Sequence, residues 1–496
     1  MSTRQKTIKA ENLNAEKRKP NIIIMYADDL GFGDIGCYGA TQIPTPNLDR
    51  LASQGLLFKE GYSAAATCTP SRYSLLTGLY PWRNKSARIL NGDAPLIIEP
   101  GSQTLPGMLK GAGYKTGVVG KWHLGLGDGK IDWNKDINPG PLDVGFDYSY
   151  IMASTNDRVP CVYIEGRRVD GLEEDDPMQV EYGPECPFPE EPTGRKNPEL
   201  LRMMYSQGHN GSIVNGVSRI GYMKGGNAAL WTDESMADVF LNKAIYFVNE
   251  HSAEPFFLYY AFHQPHAPRL PGPRFAGSTK LGPRGDVIAE MDWCVGEMID
   301  KLDELGLLKD TIIIFSSDNG PVVEEGYIDN SEKLRNGHLP AGPLRGGKYS
   351  LYEGGTRVPF IVSWKGTVVP GKSSALVSQI DFIASFADLL NQPLQPAEAK
   401  DSVNILQALL GREDVGRVEL VTEGGTAKTV LRQDNWVYIP PYNGPSITKN
   451  IELGNASYPQ LYDLNTDTQQ RRNLADENPS LIAEMEKRLK EIMQMY

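Results

Sequence analysis

Asn21-Ile22-Ile23-Ile24-Met25-Tyr26-Ala27-Asp28-Asp29 runs apolar as far as Ala27 and then stops on two adjacent carboxylates. A bilayer span needs roughly 20 apolar residues, so this run is a buried strand and not a membrane segment. Phe256–Phe262 and Thr311–Phe315 are runs of the same kind. The expected strands are Ile22–Tyr26, Thr116–Val119, Phe256–Phe262, Ile312–Phe315 and Pro359–Val362. Amphipathic helices are expected at Pro46–Gln54, Thr104–Gly111, Val287–Leu305 and Ile380–Leu390. In the third, Ile288, Met291, Val295, Met298, Ile299 and Leu302 recur at helical spacing and mark a core-facing stripe. Short apolar strands alternating with helices predict an α/β sheet covered on both faces.

Two regions depart from this pattern. Residues 127–230 are rich in Gly, Pro, Asp and Glu and weakly periodic, which predicts long surface loops inserted between sheet elements. Beyond Gly411, Val418–Thr422, Thr429–Arg432 and Trp436–Ile439 read as short strands of an antiparallel sheet. Asn478 then caps a closing helix carrying Leu481, Ile482, Met485, Leu489 and Ile492 on one face.

At 496 residues the chain suits one large domain and a smaller one. Its net charge of −12 disfavours nucleic acid and anionic membranes as partners. An anionic substrate would therefore need a local cluster of cations. The 5 cysteines are scattered and lack a C-x-x-C pair, which is neither a disulfide framework nor a zinc site. Met1 to Pro20 is hydrophilic and Lys-rich, without the apolar core of a signal peptide. That predicts a cytoplasmic protein, or a periplasmic or secreted one whose leader has been removed.

Polar residues follow the strands in a telling way. Asp28 and Asp29 end the first, Lys121 and His123 follow Thr116–Val119, His263 and His266 follow Phe256–Phe262, and Asp318 and Asn319 follow Ile312–Phe315. Open α/β sheets bind ligands at the carboxyl ends of their strands, so acids, bases and cations are predicted on one rim. Asp28, Asp29, Asp318 and Asn319 are oxygen donors suited to a hard divalent cation.

The segment Cys68-Thr69-Pro70-Ser71-Arg72-Tyr73-Ser74-Leu75-Leu76-Thr77-Gly78 sets a cysteine in polar surroundings at a predicted helix start. It resembles the signature of the type I sulfatases. Gly113-Tyr114-Lys115-Thr116 through Gly120-Lys121-Trp122-His123 resembles that family's second signature. Ala27 to Asp34 and Ser317-Asp318-Asn319-Gly320 resemble its two metal-binding stretches. His263-Gln264-Pro265-His266-Ala267-Pro268, and Gly346-Gly347-Lys348 through Arg357, resemble its remaining catalytic segments.

The resemblance implies an alkaline-phosphatase-like α/β fold, a large mixed sheet flanked by helices with a smaller C-terminal antiparallel sheet plus helix. It divides the chain into a tail (1–19), a catalytic domain (20–412) and a C-terminal subdomain (413–496). It implies that a maturation enzyme converts Cys68 to formylglycine, whose hydrate attacks sulfur. It also implies a cation, calcium with magnesium as the alternative, held by Asp28, Asp29, Asp318, Asn319 and residue 68. Asp318 would also help to deprotonate the nucleophile, with Arg72, Lys121 and Lys348 on the sulfuryl oxygens. His266 would act as general acid and His123 as the base that releases sulfate. His263 is read as loop structure, and Arg357 as an ion-pair partner.

The implied activity is hydrolysis of a sulfate ester on a carbohydrate, such as 6-O-sulfated galactose or N-acetylgalactosamine, with Asp157, Arg158 and His209 as candidate sugar contacts. The competing readings are a phosphate or phosphonate monoester hydrolase and a non-catalytic glycan-binding relative.

Overall fold

In the computed structural model, which describes residues 19–395, 398–425 and 427–494, Asn21–Ala27 is a central strand of a 10-stranded sheet. The expected tail, apart from Lys19, lies outside the described residues. The strand order across the sheet is Gly371–Ser373, Leu56–Phe58, Phe360–Ser363, Thr311–Ser317, Asn21–Ala27, Phe256–Ala261, Lys115–Lys121, Tyr148–Met152, Tyr163–Glu165 and Arg168–Val169. The five strands from Thr311–Ser317 to Tyr148–Met152 are mutually parallel. Phe360–Ser363 pairs antiparallel with Thr311–Ser317, which makes the sheet mixed.

Both faces of the sheet are covered, so its central strands can be apolar without alternation. Successive side chains show this directly. Tyr259 turns its hydroxyl to Arg72 on the helix Cys68–Thr77, whereas Tyr260 faces Cys294 on the helix Gly282–Glu304. Pro46–Ser53 and Met236–Glu250 pack with the second of these helices; Leu105–Gly111 and Phe382–Leu389 pack with the first.

Residues 127–230 are more ordered than the expected surface loops. Tyr148–Met152, Tyr163–Glu165 and Arg168–Val169 extend the sheet edge, and short two-stranded ribbons join 179–181 to 222–224 and 213–214 to 217–218. Each strand is too short for a clear period, and the edge is anchored by ring packing of Tyr150 and Tyr163 on Phe240.

Glu419–Glu423, Thr429–Gln433, Trp436–Ile439 and Gln460–Asp463 form the C-terminal antiparallel sheet. Helix Pro479–Gln494 lays Met485, Leu489 and Ile492 on Leu420, Leu431 and Tyr438. Tyr62, Tyr80 and Ile380 belong to that same cluster, and Leu351 and Tyr352 pack on Val430, Val437 and Tyr462. Apolar burial thus clamps this sheet to loops and short elements of the larger part of the chain, close in sequence to Lys348. No helix among the described residues is long and apolar enough to cross a membrane.

Candidate active site

The carboxyl ends of the central strands deliver the predicted residues to one place. Asp28 and Asp29 leave Asn21–Ala27, and Asp29 takes a left-handed φ of 65°. Lys121 ends its strand. Gly120 before it has φ 106°, and a Cβ there would lie 1.9 Å from the Ala261 carbonyl oxygen, so the close strand approach requires glycine. Cys68 is the first residue of its helix, not the residue before it, and all of Cys68–Thr77 is buried. The free N–H groups of that first turn give it a positive end.

Cys68 Sγ donates to Asp28 Oδ1 at 3.5 Å, and one ligand atom from each of Asp28, Asp29, Cys68 and Asp318 lies within 4.8 Å of the others. Asn319 donates to Asp29 Oδ1 at 2.7 Å, while its own Oδ1 is buried with no hydrogen-bond partner. An unpartnered buried carbonyl oxygen normally costs free energy. Three carboxylates and a free amide oxygen converging in this way fit a hard divalent cation. Burial pushes the Asp28 carboxyl up to about 8; Lys121 opposes the shift, and Asp318 and Asp29 add to it. A bound cation would supply the counter-charge.

Three buried cations surround the carboxylates. Arg72 donates from Nη2 and Nε to Asp318 Oδ2 at 2.7 and 3.0 Å, with its guanidinium 5.2 Å from the Tyr26 ring centroid. Lys121 donates to Asp28 Oδ2 at 2.6 Å and lies 3.8 Å from Asp318. Lys348 donates to Asp29 Oδ2 at 2.9 Å and Glu325 Oε2 at 2.7 Å. Burial disfavours the Lys348 ammonium, yet Asp29 and Glu325 hold its pKa well above the ordinary lysine value. Burial likewise disfavours ionised Asp318, but Arg72 and Lys121 keep its pKa below the usual value.

His266 donates from Nδ1 to the Ala267 carbonyl at 2.6 Å and turns Nε2 toward Asp29 Oδ2, 3.8 Å away. Burial and the nearby Lys348 bring it down to about 4. His123 donates from Nε2 to the Leu90 carbonyl at 3.0 Å, which leaves a buried, unpartnered Nδ1 as a free acceptor. Burial holds His123 well below the ordinary histidine value. His263 is buried 6.0 Å from the Phe240 ring and belongs to none of the potential metal-ligand groups. Arg357 pairs with Glu353 at 3.3 Å.

Asp157, Arg158 and His209 form their own cluster. Asp157 Oδ2 lies 3.0 Å from His209 Nε2, and Arg158 Nη1 donates to Asp157 Oδ1 at 2.8 Å. Burial opposes the ionised Asp157 carboxyl, but Arg158 and His209 hold its pKa well below the usual range. His266 also acts on Asp157, and Tyr349 and Glu325 act on Arg158, so this cluster borders the first.

Glu325, Tyr349 and Lys449 complete the surroundings; Tyr349 lies within the singled-out segment from Gly346 to Arg357, whereas Glu325 and Lys449 carried no pattern in the sequence. Glu325 is buried and accepts from Lys348, Lys449 and the Tyr349 hydroxyl. Lys449 and Asn450, with φ of 47° and 59°, form the turn between Ile447–Thr448 and Ile451–Glu452. Paired positive φ values are those of a tight hairpin turn, and the turn carries the ammonium to Glu325.

Buried cations held against carboxylates and a thiol at the sheet rim suit the binding of an anionic ester. The chain belongs to the sulfatase family, whose sequence model matches residues 20–392. It is 49% identical over 491 residues to the N-acetylgalactosamine-6-O-sulfatase of Bacteroides thetaiotaomicron, covering 98% of this chain and 95% of that one. To human arylsulfatase A it is 32% identical over 410 residues, or 80% of this chain and 69% of the relative. A solved structure described under the metabolism of multiple glycosaminoglycans by Bacteroides thetaiotaomicron superposes with a TM-score of 0.95 at 48% identity, over 96% of this chain and all of that one. A Pseudoalteromonas sulfatase superposes with a TM-score of 0.69 at 25% identity, over 96% of this chain and 90% of that one.

Proposed function

We propose that this sulfatase removes a 6-O-sulfate from N-acetylgalactosamine, or from galactose, in a sulfated glycan. The observation that carries the chemistry is Cys68 Sγ lying 3.5 Å from Asp28 Oδ1, within reach of Asp29 and Asp318. The substrate class rests on the 49% identity to an N-acetylgalactosamine-6-O-sulfatase across nearly the whole chain.

Asp28, Asp29, Asp318 and Asn319 would hold a calcium ion, with magnesium as the alternative, beside residue 68. Formylglycine made from Cys68 by a maturation enzyme would supply a hydrated aldehyde as nucleophile, and the cation would supply positive charge toward the sulfate. Arg72, Lys121 and Lys348 would bind sulfuryl oxygens; being held by buried carboxylates, they need little reorganisation as charge shifts. His266 would donate a proton from Nε2 to the departing alcohol oxygen. Its low pKa belongs to the substrate-free site, and an incoming sulfate favours the charged imidazole. His123 would accept a proton at its free Nδ1, and Asp318 would assist deprotonation of the nucleophile. Asp157, Arg158 and His209 would contact sugar hydroxyls.

On this reading 20–412 is the catalytic domain and 413–496 a subdomain closing one side of the site. The proposed place of action is the periplasm or the exterior, where sulfated polysaccharide is met. The test compares turnover of the sulfate and phosphate monoesters of one sugar alcohol, together with the peptide mass around residue 68. Sulfate release with an aldehyde mass is expected. Preferential phosphate release would favour the phosphatase reading, and no turnover with an intact thiol the non-catalytic one.

A further inference from the structure

A cavity of about 340 Å³ opens beside the site, between the loop after Lys348 and the C-terminal hairpin. Tyr349, Leu351 and Leu453 give it an apolar wall, and Lys428, Lys449 and Asn455 its polar rim. Tyr349 and Lys449 are the same residues that bind Glu325, which in turn holds Lys348 at 2.7 Å. A ligand in the cavity would therefore lie next to the cationic centre.

Lys428 sets the character of the cavity. Its ammonium donates to the Asn443 carbonyl at 2.9 Å and to Asn455 Oδ1 at 2.7 Å, both uncharged acceptors. The chain carries 62 acidic residues against 50 Lys and Arg, yet both hydrogen-bond partners of this ammonium are neutral. The ammonium also stands over the Tyr442 ring, 5.4 Å from its centroid, so the partners that hold it are neutral. An apolar wall suits the C–H face of a sugar ring, and a cation held by neutral partners suits an anionic substituent.

We infer that this cavity is a subsite for an anionic sugar adjoining the sulfated residue, with Lys428 binding the carboxylate or sulfate of that neighbour. The inference rests on the glycan sulfatase reading and extends it to the next unit of the chain.

The experiment measures kcat/KM on four substrates: the sulfated monosaccharide, its disaccharide with a hexuronate neighbour, the same disaccharide carboxyl-reduced to a neutral sugar, and one with a sulfated neutral neighbour. The wild-type enzyme should favour an anionic over the neutral neighbour by about tenfold, the typical worth of one charge-assisted hydrogen bond. The two anionic arms identify which anion is read. In K428M, and in K428Q as a second variant, the ratio should fall to near one. Equal rates on hexuronate, sulfated and reduced disaccharides by the wild type would overturn the inference without needing any variant. A ratio retained in a folded K428M or K428Q would do the same. Turnover of none of the sugars would overturn the glycan reading, and this inference with it.

Discussion

Glu325 places one carboxylate oxygen 2.7 Å from the Lys348 ammonium, and its other oxygen takes Lys449 and the Tyr349 hydroxyl. Lys348 also donates to Asp29 at 2.9 Å. Asp29, Lys348, Glu325 and Lys449 thus form a row of alternating charge from the sheet rim to the C-terminal hairpin. Removing one partner of a buried pair strands the other, at about 3–5 kcal/mol. Glu325→Gln should lower kcat on an aryl sulfate by roughly 10- to 100-fold, because Lys348 loses one of its two anchors. Lys449→Met should act in the same direction, more weakly. Steady-state kinetics check this; an unchanged kcat in Glu325→Gln would mean that Asp29 alone positions Lys348.

Cys68→Ala should abolish sulfate release while the protein still folds, because the thiol is a small group with one long contact to Asp28. Circular dichroism and a sulfate assay on the same sample test this, and residual turnover above background would remove residue 68 from the chemistry.

Metal removal should destabilise the protein. The cluster of Asp28, Asp29 and Asp318 is buried, and Asn319 Oδ1 has no partner. After chelation, calcium at a hundredfold excess over its Kd should restore about 2.7 kcal/mol, seen as a rise in Tm. A Tm indifferent to chelator and calcium would count against the site.

Glu290 gives a pH signature outside the site. Burial raises its carboxyl from 4.5 to about 7, although hydrogen bonds from the Gly272 amide and the Gln264 side chain oppose this. The folded state therefore binds its proton more tightly than the unfolded one. That contribution to stability is fully present below pH 4.5 and is lost as pH rises through about 7. Glu290→Gln should flatten this part of the stability curve, so that the variant gains on the wild type between those limits. Denaturant titrations at several pH values test it, and parallel curves would show that Glu290 does not titrate there.

The sheet and the heart of the site were legible because their signals are local. A fully buried strand is an apolar run, and the residue that ends it sits on the rim, as with Asp28 after Asn21–Ala27 and Asp318 after Thr311–Ser317. The antiparallel sense of Phe360–Ser363 was not legible, since both directions share one side-chain period. Gln460–Asp463 escaped notice because its polar ends leave only Leu461 and Tyr462 as signal. Glu325 and Lys449 stand 124 residues apart, each in a turn-rich stretch, and only the folded chain makes them partners.

The hairpin carrying Lys449 lies far along the chain from Asp28, Cys68 and Lys121, yet it closes their row of charges. A chain emerging from the ribosome would hold every proposed catalytic group well before the ammonium that balances Glu325 had been synthesised. Lys348 already meets one oxygen of Glu325 before then, so the docking of this late segment adds the second ammonium and completes the row.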